Sequence, residues 1–293
     1  MSKVSVVIRS YNEEKYIREC LEAIFNQQTS CEVEVILVDS GSTDKTLAIA
    51  KEFDLILVHI KKSDFSFGRS LNYGCKIASG QYLIFISAHC IPVDKNWIDN
   101  LVAPFEDDNI AMSYGKQEGV EWSKFSEQML FKKYFPDEDK NPQDDFFSNN
   151  ANSCIRKCLW EEYPFNEELT GLEDMDWSKH FFLKGMKVAY ISSASVYHIH
   201  EETWSKVRTR YEREAYALKE IMPEVQLSII DVIKFITSGV FKDWRESIKR
   251  RVFFKNFLSV WRFRFNQYVG SYKGNHIHRK VSKNTKNKYF YPS

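Results

Sequence analysis

The sequence lacks an excess of charge of either sign. Its 293 residues include 41 Lys and Arg against 40 Asp and Glu, which gives a net charge of +1 with neutral histidines. Proteins that bind nucleic acid through its phosphates usually carry a basic excess. The composition therefore gives no argument for a nucleic-acid partner, and any charge used for binding must be local.

A membrane-spanning segment is also missing. The apolar run in MSKVSVVIRSYNEE is too short for a secretory signal and is followed at once by Arg9, Glu13 and Glu14. The most apolar later stretch, LSIIDVIKFITSGVF, is interrupted by Asp231 and Lys234, whereas a spanning helix needs about 20 apolar residues. We expect a cytoplasmic protein that is soluble or lies on a membrane surface.

Zinc and redox motifs, internal repeats and low-complexity tracts are absent from the sequence as well. The six cysteines, among them Cys154 and Cys158, do not have the spacing of zinc ligands or of a redox pair. Free thiols in a reducing compartment are the expected state.

The first hundred residues contain an alternation of strand and helix patterns. The predicted strands are VSVVI, VEVILVD, LILVHI and YLIFIS, and amphipathic stretches separate them. This alternation predicts an α/β fold with a mostly parallel sheet and helices on both faces. Further strands are expected at IAMSYG and MKVAYISSASVYHIH. The pattern predicts one domain over residues 1–200 and a helical extension over residues 201–293.

Two of the predicted helices have a recognisable capping pattern or buried face. A Ser10-x-x-Glu13 capping pattern is expected to begin the first helix. The apolar face of that helix consists of Ile17, Leu21, Ile24 and Phe25. The later helix in GLEDMDWSKHFFLKG is expected to turn three side chains inward, those of Met175, Phe182 and Leu183.

Two predicted strands end in polar residues. QYLIFISAHCIP turns polar at Ser87 and His89, and ILVDSGSTDKT places Asp39 at the end of another strand. Ligands of open α/β sheets bind at the carboxyl ends of the strands. The Asp39 loop also has an ordinary structural explanation as a tight turn followed by a helix cap.

The order of these segments resembles that of family 2 glycosyltransferases with the GT-A fold. The matching segments are VSVVIRSYNEEKYIRECLEAIFNQ, VILVDSGSTDKTLAIA, FSFGRSLNYG, the strand ending at Ser87, and LEDMDW, over about residues 4–200. The resemblance implies a nucleotide-sugar donor. The residues that it places at the nucleoside or the phosphates are Ser10, Tyr11, Glu13, Asp39, Arg69 and Asn72.

The resemblance also draws attention to a missing metal motif. Most family members have Asp-x-Asp where this chain has Ser87-Ala88-His89, so the carboxylates that would hold a divalent metal are absent. Four interpretations remain open. His89 could ligate Mn2+ or a similar ion with His198 or His200, which strand alternation places on one side; His89 could contact the leaving phosphate directly; the donor could be a CMP-activated sugar; or the site could be inactive.

The acidic pair of LEDMDW is the expected catalytic element. The resemblance implies that Asp174 is the general base of an inverting transfer and that Glu173 orients the acceptor or a neighbour. Trp177 is either a core residue or a surface on which a sugar stacks. Asn150 and Asn152 are candidate contacts to the acceptor or donor sugar, with turn formation as the alternative.

The C-terminal part is basic and aromatic. Between residues 245 and 280 one acid, Glu246, stands among ten basic residues, which are Arg245, Lys249, Arg250, Arg251, Lys255, Arg262, Arg264, Lys273, Arg279 and Lys280. Interleaved aromatic side chains fit contact with a membrane interface. A helix packed on the catalytic domain with its charges solvated is the alternative.

The resemblance, together with these patterns, implies an inverting glycosyltransferase. The expected acceptor is a glycan or a lipid-linked glycan in surface-polysaccharide synthesis, such as capsule or lipopolysaccharide. A catalytically silent nucleotide-sugar-binding protein is one alternative. A nucleotidyltransferase is another, but its glycine-rich phosphate loop has no counterpart in RSYNEEKY.

Overall fold

The computed structural model describes residues 2–278 and 280–292, so Arg279 of the basic C-terminal part lies outside the described residues. The chain forms two compact units. The first, called the sheet unit, comprises the chain up to Glu118, Phe135–Glu168 and Glu173–Ile199. The second, called the helical unit, comprises Gly119–Tyr134, Leu169–Leu172 and the chain from His200 onward.

One sheet of eight strands, as counted over the described residues, forms the centre of the sheet unit. The strands are β1 (Lys3–Ser10), β2 (Glu32–Asp39), β3 (Ile56–His59), β4 (Tyr82–Ser87), β5 (Cys90–Pro92), β6 (Ile110–Glu118), β7 (Asn152–Arg156) and β8 (Lys187–His198). Their spatial order is β3-β2-β1-β4-β7-β6-β8-β5. Strand β7 is antiparallel to both neighbours and β5 to β8, whereas the other pairs are parallel. The predicted α/β class is confirmed.

Eleven α-helices lie within the described part of the chain. They are α1 (Ile17–Phe25), α2 (Thr46–Ala50), α3 (Phe67–Ile77), α4 (Trp97–Val102), α5 (Phe125–Tyr134), α6 (Lys157–Glu162), α7 (Glu173–Leu183), α8 (Trp204–Ile221), α9 (Ile229–Lys249), α10 (Phe253–Asn275) and α11 (Lys283–Phe290). Helix α5 and helices α8 to α11 belong to the helical unit. None of the helices in residues 2–278 and 280–292 is long and apolar enough to cross a membrane.

Helix α1 begins later than the capping pattern predicts. Its first residue is Ile17, and no side chain caps its N-terminus. Ser10 is instead the last residue of β1, and its hydroxyl donates a hydrogen bond to Asp39. The predicted cap is therefore wrong, because this serine serves the end of a strand. The predicted apolar face is largely present, since Ile17 and its neighbours are buried, but Phe25 is half-exposed and stacks on Phe53.

Helix α7 buries a different face from the predicted one. Trp177 and Phe181, one turn apart, are buried, whereas Leu183 is 74% exposed. The two aromatic rings lie 4.5 Å apart, and Trp177 also contacts Phe165. The prediction was wrong for Leu183, while Met175 and Phe182 are partly buried. The buried face differs because the helix also buries its acidic first turn, which includes Glu173.

The parallel strands bring three predicted polar positions to one edge of the sheet. Ser10 is the register partner of Asp39, and Arg9 is the register partner of Ser87. The backbone N–H of Ala88 donates to the Arg9 carbonyl at 3.3 Å. The triplet at the end of β4 is therefore attached to the end of β1, at the carboxyl edge where α/β sheets bind ligands.

Close helix packing and buried ion pairs hold the helical unit together. Gly270 and Gly274 let α10 approach α8, because a Cβ atom at Gly274 would lie 2.0 Å from the Glu212 carbonyl oxygen. Arg264 of α10 forms a buried bidentate pair with Asp243 of α9, with N–O distances of 2.8 and 2.9 Å. The hydrophobic contacts are thus supplemented by a directional bond between the two helices.

Candidate active site

The first two loops after the strands are joined to each other by side-chain hydrogen bonds. The backbone N–H of Asn12 donates to Ser42 Oγ at 2.9 Å, and Asn12 Oδ1 accepts from the N–H of Thr43 at 2.8 Å. The N–H of Glu13 donates to Thr46 Oγ1 at 2.7 Å. Asn12 has a left-handed backbone with φ of 55°. These bonds give the rim of the carboxyl edge a fixed shape.

Asp39 is fully buried beneath this rim. Its carboxylate accepts hydrogen bonds from the N–H groups of Gly41 and Ser42 and from the hydroxyls of Ser42 and Ser10. Gly41 supplies a backbone φ of 93°, which a residue with a side chain adopts only with strain. In the structure Asp39 shapes the loop, and its direct contact with a nucleoside stays a prediction.

Tyr11 and Arg69, two predicted nucleotide contacts, both lie in polar surroundings. Tyr11 Oη accepts a hydrogen bond from Lys62 Nζ at 2.6 Å. Arg69 Nε donates to Glu167 at 2.6 Å, and its Nη1 donates to the Asp64 carbonyl at 2.8 Å. Lys62 is a cation that sequence reasoning missed, and it stands over the Tyr11 ring at 4.8 Å. The nucleotide contacts of Tyr11 and Arg69 stay predictions, as does that of Ser10.

Asn72, which was considered together with Arg69, has a structural position. Its side-chain amide is buried and donates to the Phe165 carbonyl and to Glu167. Its Oδ1 accepts from Trp160 Nε1 at 2.9 Å. A side chain with these bonds holds α3 against the chain around residue 165, and its place near the base and phosphates stays a prediction.

His89 and His198 are stacked, with ring centroids 5.2 Å apart. Nδ1 of His89 is 2.8 Å from Glu13 Oε1, and Nδ1 of His198 is 2.6 Å from Gln117 Oε1. Because an ionised carboxylate and an amide oxygen only accept, each Nδ1 carries the proton. This places the lone pair of each ring on Nε2, which is the arrangement typical of metal-ligating histidines.

His200 does not continue the strand pattern of His198. Strand β8 ends at His198, and His200 belongs to the helical unit, where its Nδ1 lies 2.9 Å from Glu127 Oε1. Arg210 donates to both Glu127 and Glu202. His200 is part of a largely buried network of charged side chains that connects α5, α8 and the segment between β8 and α8.

Asp174 is buried at the start of α7, with 6% of the residue exposed. Its Oδ2 accepts the backbone N–H of Asn150 at 2.7 Å, and its Oδ1 accepts the N–H of Met175. Burial and the neighbouring charge of Glu173 raise the pKa of Asp174 to about 7, against the opposing effect of the N–H groups and Arg9. A carboxylate with this pKa is suited to accept a proton near neutral pH.

Glu173, the other acid of the pair, is held by a residue that sequence reasoning missed. Arg9 Nη1 of β1 donates to Glu173 Oε1 at 3.0 Å. The guanidinium of Arg9 also lies over the Phe67 ring, 5.0 Å from its centroid. A charged residue inside the apolar run VSVVIRS was the available signal, because buried arginines are almost always paired.

The three predicted acceptor-side residues differ in their hydrogen-bond partners. Asn150 contributes its backbone to Asp174, and its buried Nδ2 has no partner among the described residues. Asn152 is fully buried, where it accepts from Trp97 Nε1 and donates to the carbonyls of Lys116 and Ala194. Trp177 is fully buried and donates to the Tyr163 carbonyl. Trp177 therefore has the core position that was its alternative, and the side-chain polar atoms of Asn152 are all hydrogen-bonded, whereas Asn150 Nδ2 is not bonded within the described residues.

The edge of the sheet thus combines a loop rim, a histidine pair and a buried acidic pair in an α/β unit of the GT-A type. Residues 5–159 match the sequence model of Glycosyl transferase family 2, which is more than half of the chain. The chain belongs to this family and is a glycosyltransferase. The family predicted from the sequence is confirmed.

Curated relatives and solved structures agree with this assignment. The chain is 29% identical over 223 residues to the O-antigen chain rhamnosyltransferase RfbN of Salmonella typhimurium, covering 71% of this chain and 70% of RfbN. It is 25% identical to the poly(ribitol-phosphate) beta-N-acetylglucosaminyltransferase TarS of Staphylococcus aureus, covering 68% of this chain but only 35% of TarS. The mannosyltransferase PcManGT of Pyrobaculum calidifontis, solved with GDP-Man and Mn2+, shares the fold with a TM-score of 0.65 and 14% identity, over 95% of this chain and 88% of PcManGT.

Proposed function

We propose that the protein transfers a sugar from a nucleotide-sugar donor to a hydroxyl group with inversion at the anomeric carbon, using residues 1 to about 200 as the catalytic domain. The observation that supports this most directly is Asp174, a buried carboxylate whose pKa is raised to about 7 at the carboxyl edge of the sheet. The acceptor oxygen attacks the anomeric carbon while the bond from that carbon to the leaving phosphate breaks. The hydroxyl proton passes to Asp174.

The proposal includes a divalent metal such as Mn2+ at His89 and His198. One ring nitrogen of each histidine lies within 4.8 Å of the other, and Glu13 and Gln117 hold the two Nδ1 atoms. Imidazole ligands suit Mn2+ better than Mg2+, which prefers oxygen, so this donor set fits the loss of Asp-x-Asp. When bound, such an ion supplies the charge that neutralises a leaving diphosphate.

The proposed acceptor is a hydroxyl of a glycan or lipid-linked glycan in surface-polysaccharide synthesis. Support comes from relatives, since RfbN is named for O-antigen chains and TarS for poly(ribitol-phosphate). Asn150 is the one predicted acceptor-side residue that keeps an unpartnered polar atom, its buried Nδ2, within the described chain. It is the amide that we propose for a sugar contact.

A peripheral membrane contact through the helical unit completes the proposal. Ile230, Ile233, Phe241 and Ile248 form one exposed stripe on α9, and Phe254, Leu258 and Trp261 form another on α10. Exposed cations flank these stripes, namely Lys234, Lys242, Arg245, Lys249, Arg251, Lys255 and Arg262. Pairing with a second copy would bring like charges together, whereas an anionic lipid surface complements them.

The donor and the metal are tested by thermal-shift titration with UDP, dTDP, GDP, CDP and CMP, each with Mn2+ and with EDTA. One nucleoside diphosphate should raise the melting temperature in the presence of metal, because a ligand that binds the folded state stabilises it. His89→Ala and His198→Ala should lose the effect of the metal, and exposed His59→Ala should keep it. Stabilisation that survives EDTA contradicts the metal site, and a preference for CMP indicates a donor with one phosphate.

Catalysis is tested with sugar donors that carry the selected nucleotide, by measuring nucleotide release. Asp174→Asn should bind the nucleotide as tightly as the wild type does. Its rate of sugar transfer, followed as nucleotide formed from the donor, should be about 100-fold lower, as expected for loss of a general base. Asp176→Asn is the matched control, because Asp176 lies on the same helix and accepts a hydrogen bond from Tyr163. Its transfer rate should stay within a few-fold of the wild-type rate. Nucleotide binding without turnover in the wild type would instead indicate a silent binding protein.

A further inference from the structure

Arg9 has a place in the site that the proposed reaction does not yet use. It is the penultimate residue of β1, and 16% of its side chain is exposed. One nitrogen bonds to Glu173 at 3.0 Å, and the guanidinium lies over the Phe67 ring of α3. Its backbone carbonyl accepts the N–H of Ala88. A single residue thus joins the end of β1 to the catalytic helix α7.

The start of α7 has two carboxyl groups, Glu173 and Asp174, and one guanidinium, Arg9, that is bonded to one of them. Glu173 and Asp174 are adjacent and buried, with 4% and 6% of each residue exposed. Burial and the charge of Glu173 raise the pKa of Asp174, whereas the N–H dipoles of Asn150 and Met175 and the charge of Arg9 lower it. One guanidinium can neutralise one carboxylate, and its direct bond is to Glu173. The second carboxylate is therefore the one that gains most from a proton.

We propose that Arg9 is a positioning residue whose ion pair occupies the Glu173 carboxylate, so that Asp174, and not Glu173, receives the proton of the acceptor hydroxyl. The assignment rests on the proposed role of Asp174 as the general base. The charge of Arg9 determines which of two neighbouring acids acts, and its two contacts keep Glu173 turned toward β1.

The test is a titration of the full-length protein without any substrate. With 13C at the aspartate carboxyl carbons, the Asp174 signal is assigned as the one that disappears in Asp174→Asn. Arg9→Met should raise the midpoint of this signal by about 1 pH unit, because it removes a positive charge that lowers the pKa of Asp174. Arg9→Lys should restore at least half of the shift. Glu173→Gln should move the midpoint downward, since it removes the like charge.

Controls separate a charge effect from a structural one. Arg18→Met removes another arginine that is paired with a glutamate, Glu52, on the surface, and it should not move the signal. Circular dichroism checks that each variant is folded, and if Arg9→Met does not fold, Glu173→Gln and Arg9→Lys still decide. An unchanged midpoint in Arg9→Met, or an upward shift in Glu173→Gln, overturns the proposal.

The same variants separate this proposal from the proposed function. If turnover is detected, the acid limb of the pH profile of kcat/KM should follow the NMR midpoints in each variant, which a purely structural role of Arg9 would not produce. If no donor is turned over, the proposed function fails while the titration still reports whether Arg9 controls Asp174. An acid limb that stays fixed while the NMR midpoint moves would show that Asp174 is not the base.

Discussion

The Asp174 carboxylate is buried, and a second buried carboxylate, that of Glu173, is its neighbour in the chain. Such an arrangement costs stability when both groups are ionised, because burial and like charge disfavour the anion. The residue before the pair, Leu172, has a left-handed backbone with φ of 58°, which is rare for a residue with a branched side chain. Strain and buried charge next to each other are typical of residues kept for function.

The buried acid predicts a pH-dependent effect of Asp174→Asn on stability. Because the pKa of Asp174 is raised in the folded state, the folded protein binds more protons than the unfolded chain, and Asp174 lowers stability as the pH rises toward about 7. The free energy of unfolding of Asp174→Asn minus that of the wild type should therefore increase by on the order of 2 kcal/mol between pH 5 and pH 8. Urea unfolding at each pH measures it.

Asp108→Asn is the control for this experiment, since the Asp108 side chain is 99% exposed. Its difference from the wild type should not change with pH. If the difference in free energy of unfolding between Asp174→Asn and the wild type also did not change with pH, the raised pKa of Asp174 would be contradicted.

At the residue scale, the histidine after β4 was singled out because it follows a predicted strand, and the acidic pair was singled out because of the resemblance to family 2 glycosyltransferases. The sequence did not allow Arg9 to be assigned to Glu173, since their contact joins residues 164 positions apart. The sequence left Asn152 and Trp177 open between a sugar contact and a structural role, because an amide or indole is equally suited to a sugar and to a buried backbone carbonyl. Polarity alone does not distinguish these uses.

At the scale of elements, the strands were predictable and the helix faces were less so. Buried central strands such as β4 are continuous apolar runs bounded by polar residues, which makes them recognisable in the sequence. Helix α7 mixes aromatic and acidic residues on its buried side, so its periodicity does not identify that side. The approach of α10 to α8 depends on Gly270 and Gly274, whose role becomes visible only when the neighbouring helix is placed.

The close contact between α10 and α8 predicts that Gly274→Ala lowers the stability of the protein, although Gly→Ala usually stabilises a helix. In an open helix the change stabilises by about 1 kcal/mol, because alanine is the better helix former. Here the new methyl group would lie 2.0 Å from the Glu212 carbonyl oxygen of α8, so we expect a loss of about 1–3 kcal/mol. Thermal unfolding followed by circular dichroism measures the change.

Gly239→Ala in α9 is the comparison, because a Cβ atom there would meet only side-chain atoms of Arg264, at 3.2 Å. Its loss should be smaller than that of Gly274→Ala. An equal or higher stability of Gly274→Ala would show that the two helices can separate without cost.

At the scale of the whole molecule, the net charge is only +1, but acidic and basic residues are unevenly distributed along the chain. The acids are concentrated in the first two thirds of the chain, while α9 and α10 present cations beside exposed aromatic and aliphatic side chains. Composition alone could not reveal this face, because it averages over the chain. The exposed residues of α9 were recognisable only after the helix had been placed on its partner.

The face predicts binding of the full-length protein to vesicles that contain anionic phosphatidylglycerol, measured by sedimentation. Each cation near such a surface contributes about 1 kcal/mol, so binding should weaken with salt and be low on phosphatidylcholine. Phe254→Glu combined with Trp261→Glu should abolish it, whereas Leu183→Glu, an exposed apolar residue of α7, should not. Equal loss in both variants, or no binding by the wild type, contradicts a membrane contact. A wild-type dimer in light scattering that Phe254→Glu converts to a monomer would assign the face to a second copy instead.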